Sequence, residues 1–149
     1  MHYANGSLRI MCVCARARLC VCVCVCIRAF ECLFPHPILL EYRFFNLAFL
    51  WLNDNLLTRV TPLTKNCHLT EIYLHNNRLT SISGVFKRLF CLETLFLHNN
   101  QLRNLDETIE ELKPLKGLRT LNLFHNPLAQ EENYREKVLY IFKYILFIF

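Results

Sequence analysis

Glycine is nearly missing from this chain. Of 149 residues only three are glycine: Gly6, Gly84 and Gly117. Neither G-x-G-x-x-G nor G-x-x-x-x-G-K-[ST] can therefore be written. Phosphate cradles need such glycines so that the backbone can close on the ligand, and this speaks against a dinucleotide or P-loop nucleotide enzyme. Serine is as scarce, at Ser7, Ser81 and Ser83. Charge is low too, at 19% of residues, and the net charge of +5 is spread without a Lys/Arg run. That pattern gives little footing for a nucleic-acid partner. What is plentiful is apolar surface: 54% of residues are hydrophobic, so the chain is no disordered tail. Its length is one domain's worth, enough to bury a core.

Cysteine and charge are unevenly placed. Seven of the nine cysteines stand before residue 33: Cys12, Cys14, Cys20, Cys22, Cys24, Cys26 and Cys32. Only Cys67 and Cys91 lie in the remainder. Residues 1–46 carry a net +3, residues 47–130 a net +2, and residues 131–149 are balanced. A boundary near residues 35–46 follows, and the Pro35-His36-Pro37 break fits it. Residues 1–40 read as a low-complexity Cys/Val-rich segment outside the fold. Its string Cys20–Cys26, CVCVCVC, admits three accounts. It is a period-2 strand with Cys on one face, a C-x-C metal site, or a translated TGT/GTG dinucleotide repeat. The metal account lacks a converging second pair or a His.

A leader reading exists as well. Arg16 and Arg18 precede the apolar run Leu19–Ile27, which Arg28 ends. No small-x-small cleavage site follows cleanly, and nine residues cannot span a bilayer, which takes about 20. No stable membrane span is expected. The Asn5-Gly6-Ser7 sequon matters only on a secretory route.

From residue 47 the chain repeats itself. Four lines fit L-x-x-L-x-L-x-x-N-x-L. They are Leu47, Leu50, Leu52, Asn55, Leu57; then Leu69, Ile72, Leu74, Asn77, Leu79; then Leu92, Leu95, Leu97, Asn100, Leu102; and last Leu118, Leu121, Leu123, Asn126, Leu128. Their starts are 22, 23 and 26 residues apart. L-x-L makes a short strand with its Leu side chains on one face. No repeat buries that face alone, so the repeats must stack into a parallel sheet with a continuous Leu core behind it. Asn55, Asn77, Asn100 and Asn126 form a structural asparagine ladder, each amide donating to and accepting from the backbone of its loop and its neighbour. Asn77 and Asn100, with repeats on both sides, are expected to be the best buried. Short turns fit the opposite side of the first repeats. In the third, Asp106–Leu112 has an acidic start and apolar spacing, which predicts a helix ended near Pro114. Its Glu107, Glu110 and Glu111 read as a solvated face.

On these residues the chain resembles the leucine-rich repeat proteins of the short, 22-residue type. Asn126-Pro127-Leu128, then Tyr134-Arg135 and Val138, resemble the C-terminal cap of that group. The resemblance implies an α/β solenoid of about four repeats: residues 41–130 as repeats, 131–142 as a partial cap helix, 143–149 as an apolar tail. It also implies a non-catalytic scaffold that binds another protein, in the cytoplasm, with a ciliary or axonemal setting. Two departures stand out. The family pattern places a further repeat before Leu47, where the Cys-Val tract stands. The cap runs into Lys143-Tyr144-Ile145-Leu146-Phe147-Ile148-Phe149, which is either an apolar strand or helix end over the open core or translated A/T-rich non-coding sequence. Two rivals to the scaffold reading remain: a secreted or membrane-delivered protein using residues 1–30 as a signal, and a truncated product without function.

In this fold the variable strand positions face outward on the concave side. They form the columns Phe49, Glu71, Thr94, Thr120; Trp51, Tyr73, Phe96, Asn122; Asn53, His75, His98, Phe124; and Asp54, Asn76, Asn99, His125. Three stacked aromatics that the core does not need point to a protein interface, or else they pack on one another to cover the sheet. The expected partner-binding set is Trp51, Tyr73, Phe96, His75, His98, Glu71, Asn122 and Phe124. His75 and His98 sit side by side but lack a third ligand, so no metal is expected and the pair reads as solvated or hydrogen-bonded imidazoles. No cofactor and no catalytic residue is expected, since no Ser, His and Asp converge. Cys67 and Cys91 are expected to pack against the core as small apolar residues. With both ends of the solenoid doubtful, the chain is expected to be a monomer or to self-associate weakly through them.

Overall fold

A computed structural model describes residues 47–141 and 147–148. Residues 1–46 lie outside the described residues, with the strand, metal, codon-repeat and leader readings attached to them. Five short strands follow the chain: β1 (Phe49–Trp51), β2 (Glu71–Tyr73), β3 (Thr94–Phe96), β4 (Thr120–Asn122) and β5 (Phe147–Ile148). They form one parallel sheet in the order β1-β2-β3-β4-β5. The register follows the repeat: Leu50, Ile72, Leu95 and Leu121 stand opposite one another. Each of the first four strands shows its central residue buried and its two flanking residues half-buried. That alternation is the period-2 geometry of a strand with one face in the core.

The leucines of the template meet behind the sheet. Leu47, Leu50, Leu52, Leu69, Ile72, Leu74, Leu92, Leu95, Leu97, Leu118, Leu121 and Leu123 are all buried. Each contributes about 1.5–3 kcal/mol by leaving water. Leu57, at the β1 end, is only partly buried. The opposite wall of the core comes from the connections, with Leu63, Ile82, Phe86 and Leu89 between the first strands. Helix α1 (Leu105–Leu112) builds the wall behind β3 and β4 with Leu105, Ile109 and Leu112. Asn104 caps it, accepting from the Glu107 N–H at 3.0 Å. A 3₁₀ turn, Pro127–Gln130, and helix α2 (Tyr134–Ile141) close the far end. Val138 is fully buried there, while Leu139 and Tyr140 are exposed.

Two expectations need correction. The acidic residues of α1 are not simply a solvated face. Glu111 accepts from the backbone N–H of Gly84 and of Phe86, both at 2.8 Å, and Glu107 accepts from the Ser81 hydroxyl at 2.8 Å. The reason is the stacking itself, which sets α1 against the turn of the preceding repeat, where φ is positive at Gly84 and Arg88 and the backbone bends away from regular pairing. Cys67 and Cys91 are exposed, because the inward places in their turns are taken by Leu63, Asn66, Leu89 and Leu92. The end of the apolar tail is a strand, one of the readings open to it. Phe147 and Ile148 pair with Thr120 and Leu121, so β5 takes the sheet position that a next repeat would occupy.

Candidate protein-interaction face

The columns read from the sequence are the observed registers. Phe49, Glu71, Thr94 and Thr120 stand in line, and so do Trp51, Tyr73, Phe96 and Asn122. The aromatic side chains of the second column touch. Ring centroids are 5.8 Å apart for Trp51 and Tyr73, and 5.2 Å with an edge-to-face angle of 86° for Tyr73 and Phe96. Phe49 extends the group, 6.4 Å from Trp51. All four rings are half-buried. They cover one another along their flanks and leave a continuous aromatic surface above the sheet.

Tyr73 is fixed by its neighbour. Its hydroxyl donates to Glu71 Oε2 at 2.6 Å. Burial and then the Glu71 carboxylate push its pKa up to about 12, so the phenol stays a donor at neutral pH. His75 and His98 lie in the third column as a parallel stack, centroids 4.5 Å apart and planes 9° from each other. Both Nδ1 atoms are buried without a hydrogen-bond partner. The expectation of solvated or hydrogen-bonded imidazoles is thus corrected for Nδ1, in rings packed on each other and against Phe96, at 6.2 and 5.9 Å. Burial pushes both pKa values below their ordinary 6.5, against the pull of Asp54. Among the described residues no group of three or more His, Cys, Asp or Glu is placed to hold a metal ion.

The remaining expected residues divide. Phe124 is exposed and stacks on His125 at 4.0 Å rather than on His98. Asn122 is half-buried, and its Oδ1 accepts from the Phe124 N–H at 3.1 Å, so part of its polar capacity is spent inside its own turn. The fourth column has a backbone role that the sequence reading missed. Asp54, Asn76, Asn99 and His125 all have positive φ, between 54° and 57°. Each turns the chain out of its strand. The signal was the residue types, since Asn, Asp and His tolerate this region best after Gly. The Asn99 amide donates to Asn76 Oδ1 at 2.9 Å and the Asn76 amide to Asp54 Oδ1 at 2.6 Å. The Asn76 bond, first, holds the Asp54 carboxyl below its ordinary pKa.

Beneath this surface the asparagine ladder runs through the loops. The Asn77 amide donates to Leu52 O, Leu74 O and His75 O, and its Oδ1 accepts from the Leu57 N–H at 3.0 Å. Asn100 and Asn126 repeat the set, accepting from the N–H groups of Leu79 and Leu102. Asn55 donates to Leu52 O and Asn53 O, but its Oδ1 has no partner. Contrary to expectation, the inner rungs are not the best buried. Relative exposure is 4% for Asn55, 8% for Asn77, 6% for Asn100 and 3% for Asn126. The cover comes from within each loop as well as from neighbours, so an end position loses little.

A stack of L-x-L strands on a Leu core, joined by Asn-closed turns, defines a repeat solenoid. The chain belongs to the leucine-rich repeat family, whose model matches residues 46–148. Leucine-rich repeat-containing protein 51 of Bos taurus is 38% identical over 98 residues, covering 60% of this chain and 50% of that protein. Leucine-rich repeat-containing protein 23 of Bos taurus is 34% identical over 90 residues, covering 60% of this chain and 26% of that protein. A chain in the crystal structure of the Drosophila melanogaster SNF/U2A' complex superposes with a TM-score of 0.63 at 28% identity, over 71% of this chain and 61% of that one. The chain thus spans about a quarter to a half of the length of the curated relatives it matches. Proteins of this family are in general non-catalytic modules for protein–protein interaction. No helix among the described residues is long and apolar enough to cross a membrane.

Proposed function

We propose that this chain is a binding module whose concave face docks another protein, with Trp51, Tyr73 and Phe96 as anchors. The observation that carries the reading is the aromatic column itself. Three large rings lie in register on the solvent side of a sheet whose core is already filled by leucine. Apolar surface of this kind is costly on a protein that has no use for it, and buried aromatics dominate interface energetics, at about 2 kcal/mol or more each. His75, His98, Glu71, Asn122 and Phe124 flank the anchors and supply polarity and shape. The setting we propose is the cytoplasm, with no nucleic acid involved and the chain monomeric or weakly self-associating.

A finer likeness supports a ciliary or axonemal assembly as the place of action. The segments LWLNDN, LTKNCHLTEIYLHNN and LDETIEELKPLKGLRTLNLFHNPL resemble leucine-rich repeat-containing protein 72. The test is affinity isolation from ciliated tissue with the native chain, a Trp51→Ala/Tyr73→Ala variant and a Leu56→Ala/Phe90→Ala variant, since Leu56 and Phe90 are exposed apolar residues outside the columns. The concave variant is expected to lose the partners that both others retain, with unchanged far-UV circular dichroism. Partners lost with the second variant instead would move the interface to another face.

A further inference from the structure

The charge of the concave face runs against that of the chain. The whole protein carries +5, yet none of the four columns contains Lys or Arg, and their two formal charges are the carboxylates of Glu71 and Asp54. Arg119, the cation that immediately precedes β4, is engaged by Glu93 at 3.7 Å. Glu71 and Asp54 stand at opposite margins of the aromatic column, one in register with Phe49 and the other in the turn beyond β1. Between them lie first Trp51 and Tyr73 and then Asn53 and His75. A ring face is the negative side of the aromatic quadrupole and attracts a cation within about 6 Å.

We propose that the β1–β2 half of this face binds a basic segment of the partner protein, one Arg or Lys side chain laid on Trp51 and Tyr73 with its charge at Glu71, and a second cation of the segment at Asp54. The proposal rests on the concave face being the binding face and adds the chemistry of what it takes. Tyr73 is already tied to Glu71 Oε2, so its ring is presented without a rotamer search, and the other carboxylate oxygen of Glu71 is left for an incoming donor. Asp54 is likewise oriented by Asn76 and Asn53. The site is therefore set before the ligand arrives, which lowers the ordering cost of binding. Within the four columns an acidic or phosphorylated partner would meet two carboxylates and no Lys or Arg. A neutral apolar helix would leave both carboxylates to lose water without gain.

The experiment uses the full chain and a random twelve-residue peptide library displayed on phage. Selected peptides are then synthesised and titrated by isothermal calorimetry, since Trp51 is the sole tryptophan and its own replacement would silence a fluorescence readout. The expected result is enrichment of Arg or Lys, and binding that weakens about tenfold on Glu71→Gln or Asp54→Asn and falls as salt rises. Both substitutions spare the fold: the amide oxygen introduced by Glu71→Gln would still accept from the Tyr73 hydroxyl, and Asn is at ease at the positive φ of residue 54. Peptides that lose binding on Trp51→Phe/Tyr73→Ala but are neutral or acidic, and indifferent to the two charge removals, would overturn the basic partner while leaving the concave face as the interface. Peptides that bind regardless of Trp51 and Tyr73, or a library that yields no binder, would overturn both.

Discussion

Single residues set the terms here through their hydrogen-bonding inventory. Asn77 serves four backbone groups from one buried amide. Asn77→Leu adds apolar surface yet strands the Leu57 N–H and takes one of two donors from each of Leu52 O, Leu74 O and His75 O, so unfolding in urea should show a loss of about 1–3 kcal/mol. Asn55→Leu should cost less, because its Oδ1 has no partner to lose; equal losses at the two sites would count against this ladder. The stacked imidazoles give a second expectation. Burial holds His75 and His98 below their ordinary pKa of 6.5, so the unfolded chain takes up protons first as pH falls. Their contribution is complete above about pH 6.5 and declines as the pH drops through the window below it. Asp54 is also depressed, but from an ordinary value of 3.8, so its loss comes later in the acid range. Urea midpoints between about pH 8 and pH 5 should fall with pH in the native chain and fall less in His98→Gln. The leucines and asparagines of the ladder are legible in the sequence because one residue type fits each place. The left-handed turn position is not, because its role sits in the backbone angle and its side chains look like surface.

At the scale of elements, the turns and helices depend on one another across repeats. The strands can be placed from L-x-L alone, and α1 from its acidic start, to within a residue of Leu105–Leu112. What that acidic start does cannot be read, because the partner is a turn some 25 residues away. Glu111 holds two N–H groups of the preceding turn by charge-assisted bonds. Glu111→Ala should therefore destabilise the chain by about 1–3 kcal/mol, far more than Glu110→Ala. Among the described residues Glu110 pairs only with Lys113, and both are exposed, a contact worth about 0–1 kcal/mol. Chemical denaturation of the two variants side by side checks the contrast, and similar small losses would show that α1 stands alone. The exposure of Cys67 and Cys91 has the same origin. Which side of a turn faces the core is decided by the neighbouring repeat.

For the molecule as a whole, the sheet edge matters most. The backbone pairing of Phe147 and Ile148 with β4 covers an edge that would otherwise offer unpaired N–H and C=O groups to other chains. Removing residues 143–149 should leave β4 as the edge. Light scattering is then expected to show concentration-dependent association of the truncated chain while the full chain stays constant under the same conditions. Identical behaviour of the two would mean that β5 protects nothing. The composition of the tail fits both a strand end and an accident of translation. Its register opposite Thr120 and Leu121 is not legible from composition, because register is a property of two segments together.

The positive-φ column carries a consequence for how such a surface can diversify. Asp54, Asn76, Asn99 and His125 sit where a branched or bulky side chain is penalised by its own backbone. One row of the concave face is thus confined to a small alphabet, whatever binds there. Novelty in recognition must be written at the strand positions, such as Trp51, Tyr73 and Phe96, where the backbone accepts any side chain. A library randomised at the strand rows should retain folded members in far greater proportion than one of equal size randomised at the turn row.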